Sequence, residues 1–175
     1  MAVRKSPKLA ENALWEYALR VVGHRAHAAA ELRRKLSRRA ESPAALSAVM
    51  EKLREYSFVD DRKFSDVFAA SRLQNNGFGK IRVLHDLRAK QVAPAIAEQA
   101  VAKVFEGTDE ATLIQQFLDR KYRSVDLKTF LQEEKNLASA YRRLRVAGFS
   151  SQGSLSALRR YNRQAEEWSE PEGLD

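Results

Sequence analysis

The sequence predicts an all-α protein built from three tandem three-helix repeats of the helix-turn-helix type. Apolar residues recur every three or four positions along most of the chain, and no stretch alternates apolar and polar residues as a strand would. Pro43 follows Leu36 by seven residues, and Pro94 follows Leu87 by seven residues, each at an expected helix start. The surrounding apolar pattern recurs once more around Leu144. A repeated pattern of this length is typical of helical arrays.

The composition limits the class of protein. The 175 residues include no cysteine, which excludes disulfides and thiolate metal sites and fits a reducing compartment. No apolar run reaches the roughly 18 residues of a membrane span, and the N-terminal segment lacks the apolar centre of a signal peptide. We therefore expect a cytoplasmic protein.

The charge is strongly uneven along the chain. The net charge is +8, and the last eleven residues contain five acidic and no basic residues, so the preceding body carries +13. A body this basic favours nucleic acid or an acidic protein surface as partner, although a merely soluble basic protein has the same composition. The tail has little to bury, and we expect it to be disordered or loosely docked. Trp168 is its exception, since it could dock on the body or on a partner.

The first repeat predicts three helices. Leu14 to Val22 shows the spacing of a first helix, which ends near Gly23, and Arg25 to Arg39 predicts a second. The pair Ser42-Pro43 predicts the start of a third helix, because serine caps and proline fits the first helical position. The predicted segments are a basic arm at 1–11, repeats at 12–57, 58–107 and 108–164, and an acidic tail at 165–175.

The second repeat begins with a capped helix. Asp60 is placed to cap it, and the turn from Asn75 to Gly79 is predicted to end it, because asparagine and glycine accept positive φ. The following helix is predicted to carry Ile81, Leu84 and Leu87 on its apolar side, with Val83 beside them.

The third repeat is longer than the second. Its first helix is predicted to begin at Thr108, as a cap. The distance from Leu36 to Leu87 is 51 residues, and that from Leu87 to Leu144 is 57. We place the extra residues around Tyr122 to Asp126, and expect about nine helices in all.

Basic residues concentrate on the second helix of each repeat, and we expect them to contact an acidic protein surface or nucleic acid through hydrogen bonds to carboxylates and phosphates. The alternative is an ordinary solvated face, with arginine stems covering apolar surface. The candidate contact residues are Arg33, Arg34, Lys35, Arg38 and Arg39 in the first repeat, Lys80, Arg82, Arg88 and Lys90 in the second, and Arg142, Arg143 and Arg145 in the third.

Catalytic and metal chemistry find little support in the sequence. His24 and His27 are spaced for one ion but have no evident third ligand, so we expect surface histidines and no metal. Asp60-Asp61 is better explained by helix capping than by acid–base catalysis. We therefore predict a protein without cofactor that is not an enzyme. The spacing of the aromatic residues predicts that they belong to the core and do not stack on bases. These residues are Tyr56, Phe58, Phe64, Phe68, Phe105 and Phe117.

Four segments, in order, resemble the RecX family, small bacterial regulators of the RecA recombinase. They are ELRRKLSRR (Glu31 to Arg39), FVDDRKF (Phe58 to Phe64), NGFGKIRVLHDLRAKQV (Asn76 to Val92) and AYRRLRVAGF (Ala140 to Phe149). Each segment alone is a common pattern, but their order and their fit to three repeats are specific. The glycine that the family usually has at the end of the second helix occurs here only as Gly148.

The resemblance implies an elongated, curved array of three-helix units, which we expect to be a monomer. Such proteins lie in the groove of the RecA–single-stranded DNA filament, limit its extension or promote its disassembly, and lower its ATPase and strand-exchange activity. The implied processes are recombination, DNA repair and the SOS response. The alternative is a DNA-binding protein that uses its helix-turn-helix-like units on duplex or single-stranded DNA. A third class is a scaffold for some other acidic partner.

Overall fold

The computed structural model of the chain describes residues 7–162. Most of the predicted N-terminal arm, and the whole acidic tail with Trp168, lie outside the described residues. Within 7–162 the chain forms ten α-helices and no β-strand, which confirms the predicted all-α class. The helices are α1 (Glu11–His24), α2 (Ala29–Ser37), α3 (Pro43–Glu55), α4 (Asp61–Ser71, continued by a π-helical turn, Arg72–Asn76), α5 (Lys80–Ala89), α6 (Pro94–Val104), α7 (Glu110–Lys121), α8 (Leu127–Phe130), α9 (Glu134–Val146) and α10 (Ser151–Arg159).

The described residues group into two compact units. Unit 1 contains residues 7–68 and 86–100, and unit 2 contains residues 69–85 and 101–162. Helices α1 to α3 therefore lie in unit 1 and α7 to α10 in unit 2, whereas α4, α5 and α6 contribute residues to both. The repeat boundaries at 57/58 and 107/108 stay predictions.

The core of unit 1 forms where α1, α2 and α3 meet. Its fully buried side chains include Leu14, Ala18, Leu32, Leu36, Val49, Met50 and Leu53. Helix α3 begins as its sequence predicts, because the Ser42 hydroxyl accepts a hydrogen bond from the Ala45 N–H at 3.1 Å and Pro43 follows it. This cap fixes where the α2–α3 turn enters the helix.

Helix α2 begins later than predicted. Residues 25–28 are not helical, and Ala28 has an extended backbone with φ −65° and ψ 146°. The Ala29 N–H donates to the Asp61 carboxylate at 2.8 Å. A side chain distant in the sequence therefore satisfies one of the free N–H groups at the start of the helix, which apolar spacing around Arg25 cannot reveal.

The start of α7 and the helix α8 correct two further predictions. Asp109, and not Thr108, caps α7, with its carboxylate accepting from the Thr112 N–H at 2.9 Å. The extra residues of the third repeat include a short helix, α8, capped by Asp126. The described chain thus has ten helices instead of about nine.

Several residues at equivalent positions of the predicted repeats are equally buried. Leu36, Leu87 and Leu144 are fully buried, and the residues four positions before them are Leu32, Val83 and Ala140, which are also fully buried. Ile81 is 53% exposed, so the prediction that it belongs to the buried face of α5 is wrong. Val83 and Leu87, which are four residues apart, lie on the buried face of α5. Ile81 lies away from that face.

Candidate functional site

The exposed side of α2 in unit 1 is a dense group of cations. We call Arg33, Arg34, Lys35 and Arg38 the α2 basic face. All four are exposed, while Leu32 and Leu36 of the same helix are fully buried. Within residues 7–162 the side chains of these four cations have no hydrogen bond or ion pair. They are therefore available to an anionic partner.

Arg39 has a different environment from the α2 basic face. It is half-buried, and its guanidinium carbon lies 5.1 Å from the centroid of the Tyr17 ring. Its carbonyl accepts a hydrogen bond from the Leu9 N–H at 2.7 Å. The Arg39 side chain thus packs within unit 1, at a cation–π distance.

Beside Arg39, α1 and α2 enclose a hollow of about 460 Å³. It is lined by Tyr17, Arg20, Val21, His24, Lys35 and Arg39. Lys35 therefore belongs both to the α2 basic face and to this hollow. Arg20 was not among the predicted contact residues, because it lies on the first helix and not on the second.

The four candidates of the second repeat are not brought together. Lys80 and Arg82 lie in unit 2, and Arg88 and Lys90 lie in unit 1. The Lys80 ammonium lies 5.9 Å from the Phe105 ring centroid, and Arg88 pairs with the Glu98 carboxylate at 3.1 Å.

Lys90 is a half-buried cation of unit 1. Its ammonium lies 3.5 Å from a Glu31 carboxylate oxygen, and 5.9 and 5.4 Å from the ring centroids of Phe64 and Phe68. These contacts give Lys90 a structural part in unit 1.

Unit 2 contains a groove of about 480 Å³, which we call the basic groove. It is lined by Phe78, Arg82, Phe117, Lys121, Ser139, Arg142, Arg143, Val146 and Ala147. Four of these residues are cations and none is acidic. Val146 is 67% exposed, so an apolar surface lies open between the charges. The groove joins three predicted residues, Arg82, Arg142 and Arg143, in one site.

The two hollows occupy the same place in two repeats. If Leu36 is equivalent to Leu144, then Lys35 corresponds to Arg143. Tyr17 on α1 and Phe117 on α7 each precede a fully buried residue, Ala18 or Leu118, and each lines its hollow. The space between the first and second helices is thus lined by an aromatic residue and cations in both units.

Two glycines allow the backbone segments behind the basic groove to meet. The Gly79 N–H donates to the Ala147 carbonyl at 2.8 Å, and the Ile81 N–H donates to the Gly148 carbonyl at 3.2 Å. A Cβ on Gly79 would overlap the Gly148 carbonyl, and one on Gly148 would overlap the backbone of Arg82. The start of α5 and the end of α9 can approach this closely only because both positions lack a side chain.

Arg82 and Arg145 contact the same end of α9. An Arg82 guanidinium nitrogen lies 3.4 Å from the Val146 carbonyl, and an Arg145 guanidinium nitrogen donates to the Phe149 carbonyl at 2.8 Å. Arg145 does not line the basic groove. Its interaction satisfies a carbonyl just beyond the helix, which is a structural role.

Lys121 is a groove residue that the sequence reasoning missed. It lies in the last turn of α7, a first helix, whereas only second helices had been considered. Its position four residues after the groove residue Phe117 is the signal that could have identified it. Among the described residues, Lys121 and Arg142 have no hydrogen bond or ion pair to their side chains.

Two aromatic residues are not in the core, contrary to prediction. Tyr56 is 63% exposed and Phe58 is 49% exposed, and their rings lie 5.9 and 6.2 Å from that of Trp15. The helix spacing failed here because both residues follow the end of α3, where the chain leaves the helix. The three rings form an open aromatic cluster on unit 1.

His27 is buried, which contradicts the expected surface position. Its imidazole nitrogen Nδ1 lies 3.5 Å from the Glu31 carboxylate. Burial is the main cause that lowers the pKa of His27, and the charges of Arg25 and Lys35 act in the same direction. Within residues 7–162 no group of three or more histidine or acidic residues is arranged to hold a metal ion.

No helix among the described residues combines the length and apolar character that crossing a membrane requires.

Comparisons with known proteins agree with the motifs. A model of the RecX second three-helix domain matches residues 60–101. A regulatory protein RecX of Pelodictyon phaeoclathratiforme is 29% identical over 147 residues, which cover 82% of this chain and 85% of that protein. The chain is similar to RecX proteins over most of its length. The regulatory protein RecX of Halorhodospira halophila is 34% identical over 92 residues, 53% of this chain and 56% of that protein.

A solved RecX structure shows the same fold. The crystal structure of RecX from Lactobacillus salivarius superposes with a TM-score of 0.64 at 15% identity, covering 86% of this chain and 96% of that one. At this identity the likeness concerns the fold alone and assigns no role to an individual cation.

Proposed function

We propose that this chain binds the RecA–single-stranded DNA filament and lowers its extension, ATPase and strand-exchange activity in recombination, DNA repair and the SOS response. The similarity to regulatory proteins named RecX supports RecA as the partner. The observation that carries the proposal is a set of exposed cations on second helices whose side chains form no hydrogen bond or ion pair within residues 7–162, namely the α2 basic face and Arg142 of α9. A filament of protein and DNA offers phosphates and carboxylates, which such cations bind through charge-assisted hydrogen bonds.

The twelve predicted contact residues divide into two groups by their contacts within the chain. Arg33, Arg34, Lys35, Arg38 and Arg142 are exposed and form no side-chain hydrogen bond or ion pair within residues 7–162. The other seven contact a ring, a carboxylate or a carbonyl of this chain; they are Arg39, Lys80, Arg82, Arg88, Lys90, Arg143 and Arg145. We assign filament contact mainly to the first group, with Arg82 and Arg143 contributing through the basic groove.

The test is the DNA-dependent ATPase of a RecA recombinase, titrated with this protein beside its binding to naked single-stranded DNA at the same salt. The proposal expects inhibition at concentrations well below those that coat the DNA. Inhibition that appears only when the naked DNA is saturated would mean competition for DNA, and would favour the DNA-binding alternative. With about six phosphate contacts, the affinity for single-stranded DNA would then fall roughly 300-fold when the salt is raised from 50 to 200 mM.

A further inference from the structure

The open aromatic cluster of unit 1 consists of Trp15, Tyr56 and Phe58. Tyr56 and Phe58 are exposed, while Trp15 is half-buried and packs against the core of the unit. The planes of the Tyr56 and Phe58 rings are inclined to that of Trp15 by 48° and 68°. Rings tilted in this way do not cover one another's faces, so part of the aromatic surface stays open to a ligand.

The backbone holds Tyr56 and Phe58 on the surface. Ser57 between them has φ +57°, a left-handed conformation that a residue with a side chain rarely adopts. The Phe58 N–H closes the turn by donating to the Leu53 carbonyl at 2.9 Å, and the next residue, Val59, returns to the core. Strained backbone is concentrated at binding sites, and here it keeps two aromatic rings out of the core.

The rings of the open aromatic cluster are not covered by a cation of the chain. Several other rings of the described chain lie 5.1–5.9 Å from the charged group of an arginine or lysine; they are those of Tyr17, Phe64, Phe78, Phe105 and Tyr122. Within residues 7–162 no cation lies at such a distance from the three rings of the cluster. Their exposed faces can therefore receive a cation from another molecule, which the quadrupole of an aromatic ring attracts.

The charge around the open aromatic cluster is negative, in contrast to the rest of the body. Five acidic and three basic residues lie within four positions of one of the three rings, whereas the body before the tail carries +13. One of the basic residues, Lys52, is neutralised by the Glu11 carboxylate, 2.7 Å from its ammonium. Glu16 and Glu55, next to Trp15 and Tyr56 in the chain, are exposed and form no side-chain hydrogen bond or ion pair within residues 7–162. These surroundings attract a cation and repel a phosphate.

We infer that the open aromatic cluster binds an arginine or lysine side chain of a partner protein. The cationic group lies over the ring faces, the neighbouring carboxylates offset its charge, and the aliphatic stem covers exposed aromatic surface. A nucleic acid strand is a poorer ligand, because sites that stack bases lie in basic grooves that follow the phosphates. Unit 1 thus offers the α2 basic face to an anionic surface and the open aromatic cluster to a cationic one.

The experiment uses the whole chain with Trp168→Phe, so that Trp15 is its only tryptophan. The probe is a short peptide of alternating arginine and glycine. The comparison is the same peptide with citrulline, which has nearly the shape of arginine but carries no charge. Each peptide is titrated at constant ionic strength, and binding is followed by Trp15 fluorescence. We expect the arginine peptide to bind with a Kd of about 1 mM and the citrulline peptide to bind at least about fivefold more weakly.

Two variants separate the ring faces from apolar surface in general. Tyr56→Leu with Phe58→Leu keeps an apolar surface but removes two aromatic faces, and should weaken binding of the arginine peptide at least about fivefold. Tyr17→Leu is the matched control in the same unit, because Arg39 already lies over that ring, and it should leave the binding unchanged. Circular dichroism checks that each variant is folded.

Four results would overturn the inference. The first is unchanged Trp15 fluorescence up to about 10 mM arginine peptide, and the second is equal binding of the arginine and citrulline peptides. The third is equal binding of the arginine peptide by the Tyr56→Leu, Phe58→Leu variant and its parent. The fourth is a fluorescence change caused by an oligothymidine and lost in that variant, which would assign the cluster to nucleic acid. Neither RecA nor its filament is present in these titrations, so their outcome is independent of the proposed function.

Discussion

Replacement of Gly148 by alanine tests whether the contact between α5 and α9 holds unit 2 together. Gly148 has φ +89°, and a Cβ there would overlap the backbone nitrogen and Cα of Arg82. The left-handed conformation alone costs a residue with a side chain about 1–2 kcal/mol. The overlap forces α5 away from α9, which breaks the hydrogen bonds that Gly79 and Ile81 donate, worth about 1 kcal/mol each. We expect Gly148→Ala to lower the free energy of unfolding by about 3–4 kcal/mol.

Two other glycines provide matched controls. Gly107 also has positive φ, +67°, but a Cβ there would have no atom within 4 Å. Gly107→Ala should therefore cost only the conformational part, about 1–2 kcal/mol. Gly23, in α1, has open space around it and no positive φ, so Gly23→Ala should be neutral or stabilise the helix by up to about 1 kcal/mol.

The assay is urea unfolding followed by circular dichroism, with a check that one transition describes the whole curve. The difference between Gly148→Ala and Gly107→Ala, expected to be about 2 kcal/mol, isolates the contact between α5 and α9. Equal effects of the two substitutions would refute the reasoning, because the overlap with Arg82 would then contribute nothing.

Three further predictions concern other parts of the chain. Ser150→Ala should lower the unfolding free energy by about 2 kcal/mol or more and Ser42→Ala by about 1 kcal/mol, because Ser150 both caps its helix and bonds a carboxylate of α7; equal losses in urea unfolding would contradict this. Burial lowers the pKa of His27 below 6.5, so the stability due to its neutral form is complete above pH 6.5 and declines as the pH falls through the lowered pKa. His27→Gln should therefore flatten the decline of the unfolding free energy between about pH 7 and 5. An unchanged slope would refute this prediction. Lys90→Ala should cost about 1–2 kcal/mol through lost packing and cation–π contacts, whereas Arg142→Ala should stay within about 0.5 kcal/mol; thermal unfolding that ranks them in the opposite order would contradict the division of the cations.

The sequence predicts those features of the fold that depend on neighbours along the chain. Ser42 caps α3 as predicted, because capping needs only a local side chain. Features that depend on distant residues were missed. The start of α2 is set by Asp61, 32 residues away, and this interaction leaves no signal in the spacing around Arg25.

The sequence predicted the contact residues only as basic residues on second helices. In the structure some of these residues are exposed and others pack within the chain. Helix position predicted that Arg34 and Lys90 would both be contact residues. The structure exposes Arg34, whereas Lys90 packs between a carboxylate and two rings. Lys121 joins the basic groove from a first helix, and Gln91 takes φ +60° at the position where the third repeat has Gly148. Such details depend on packing between helices, which one sequence does not display.

The central proposal is that the exposed cations of the α2 basic face contact the RecA filament. Its most direct test is the salt dependence of the affinity for the RecA–single-stranded DNA filament, compared between Arg34→Ala with Arg38→Ala and a control, Arg88→Ala with Lys135→Ala. The control removes the same charge from residues that already pair with Glu98 and Glu133.

We expect the Arg34/Arg38 variant to bind the filament at least about tenfold more weakly and with a shallower salt dependence, and the control to bind almost as the parent does. Equal affinity and equal salt slope in the Arg34/Arg38 variant and the parent would contradict the claim that the α2 basic face contacts the filament.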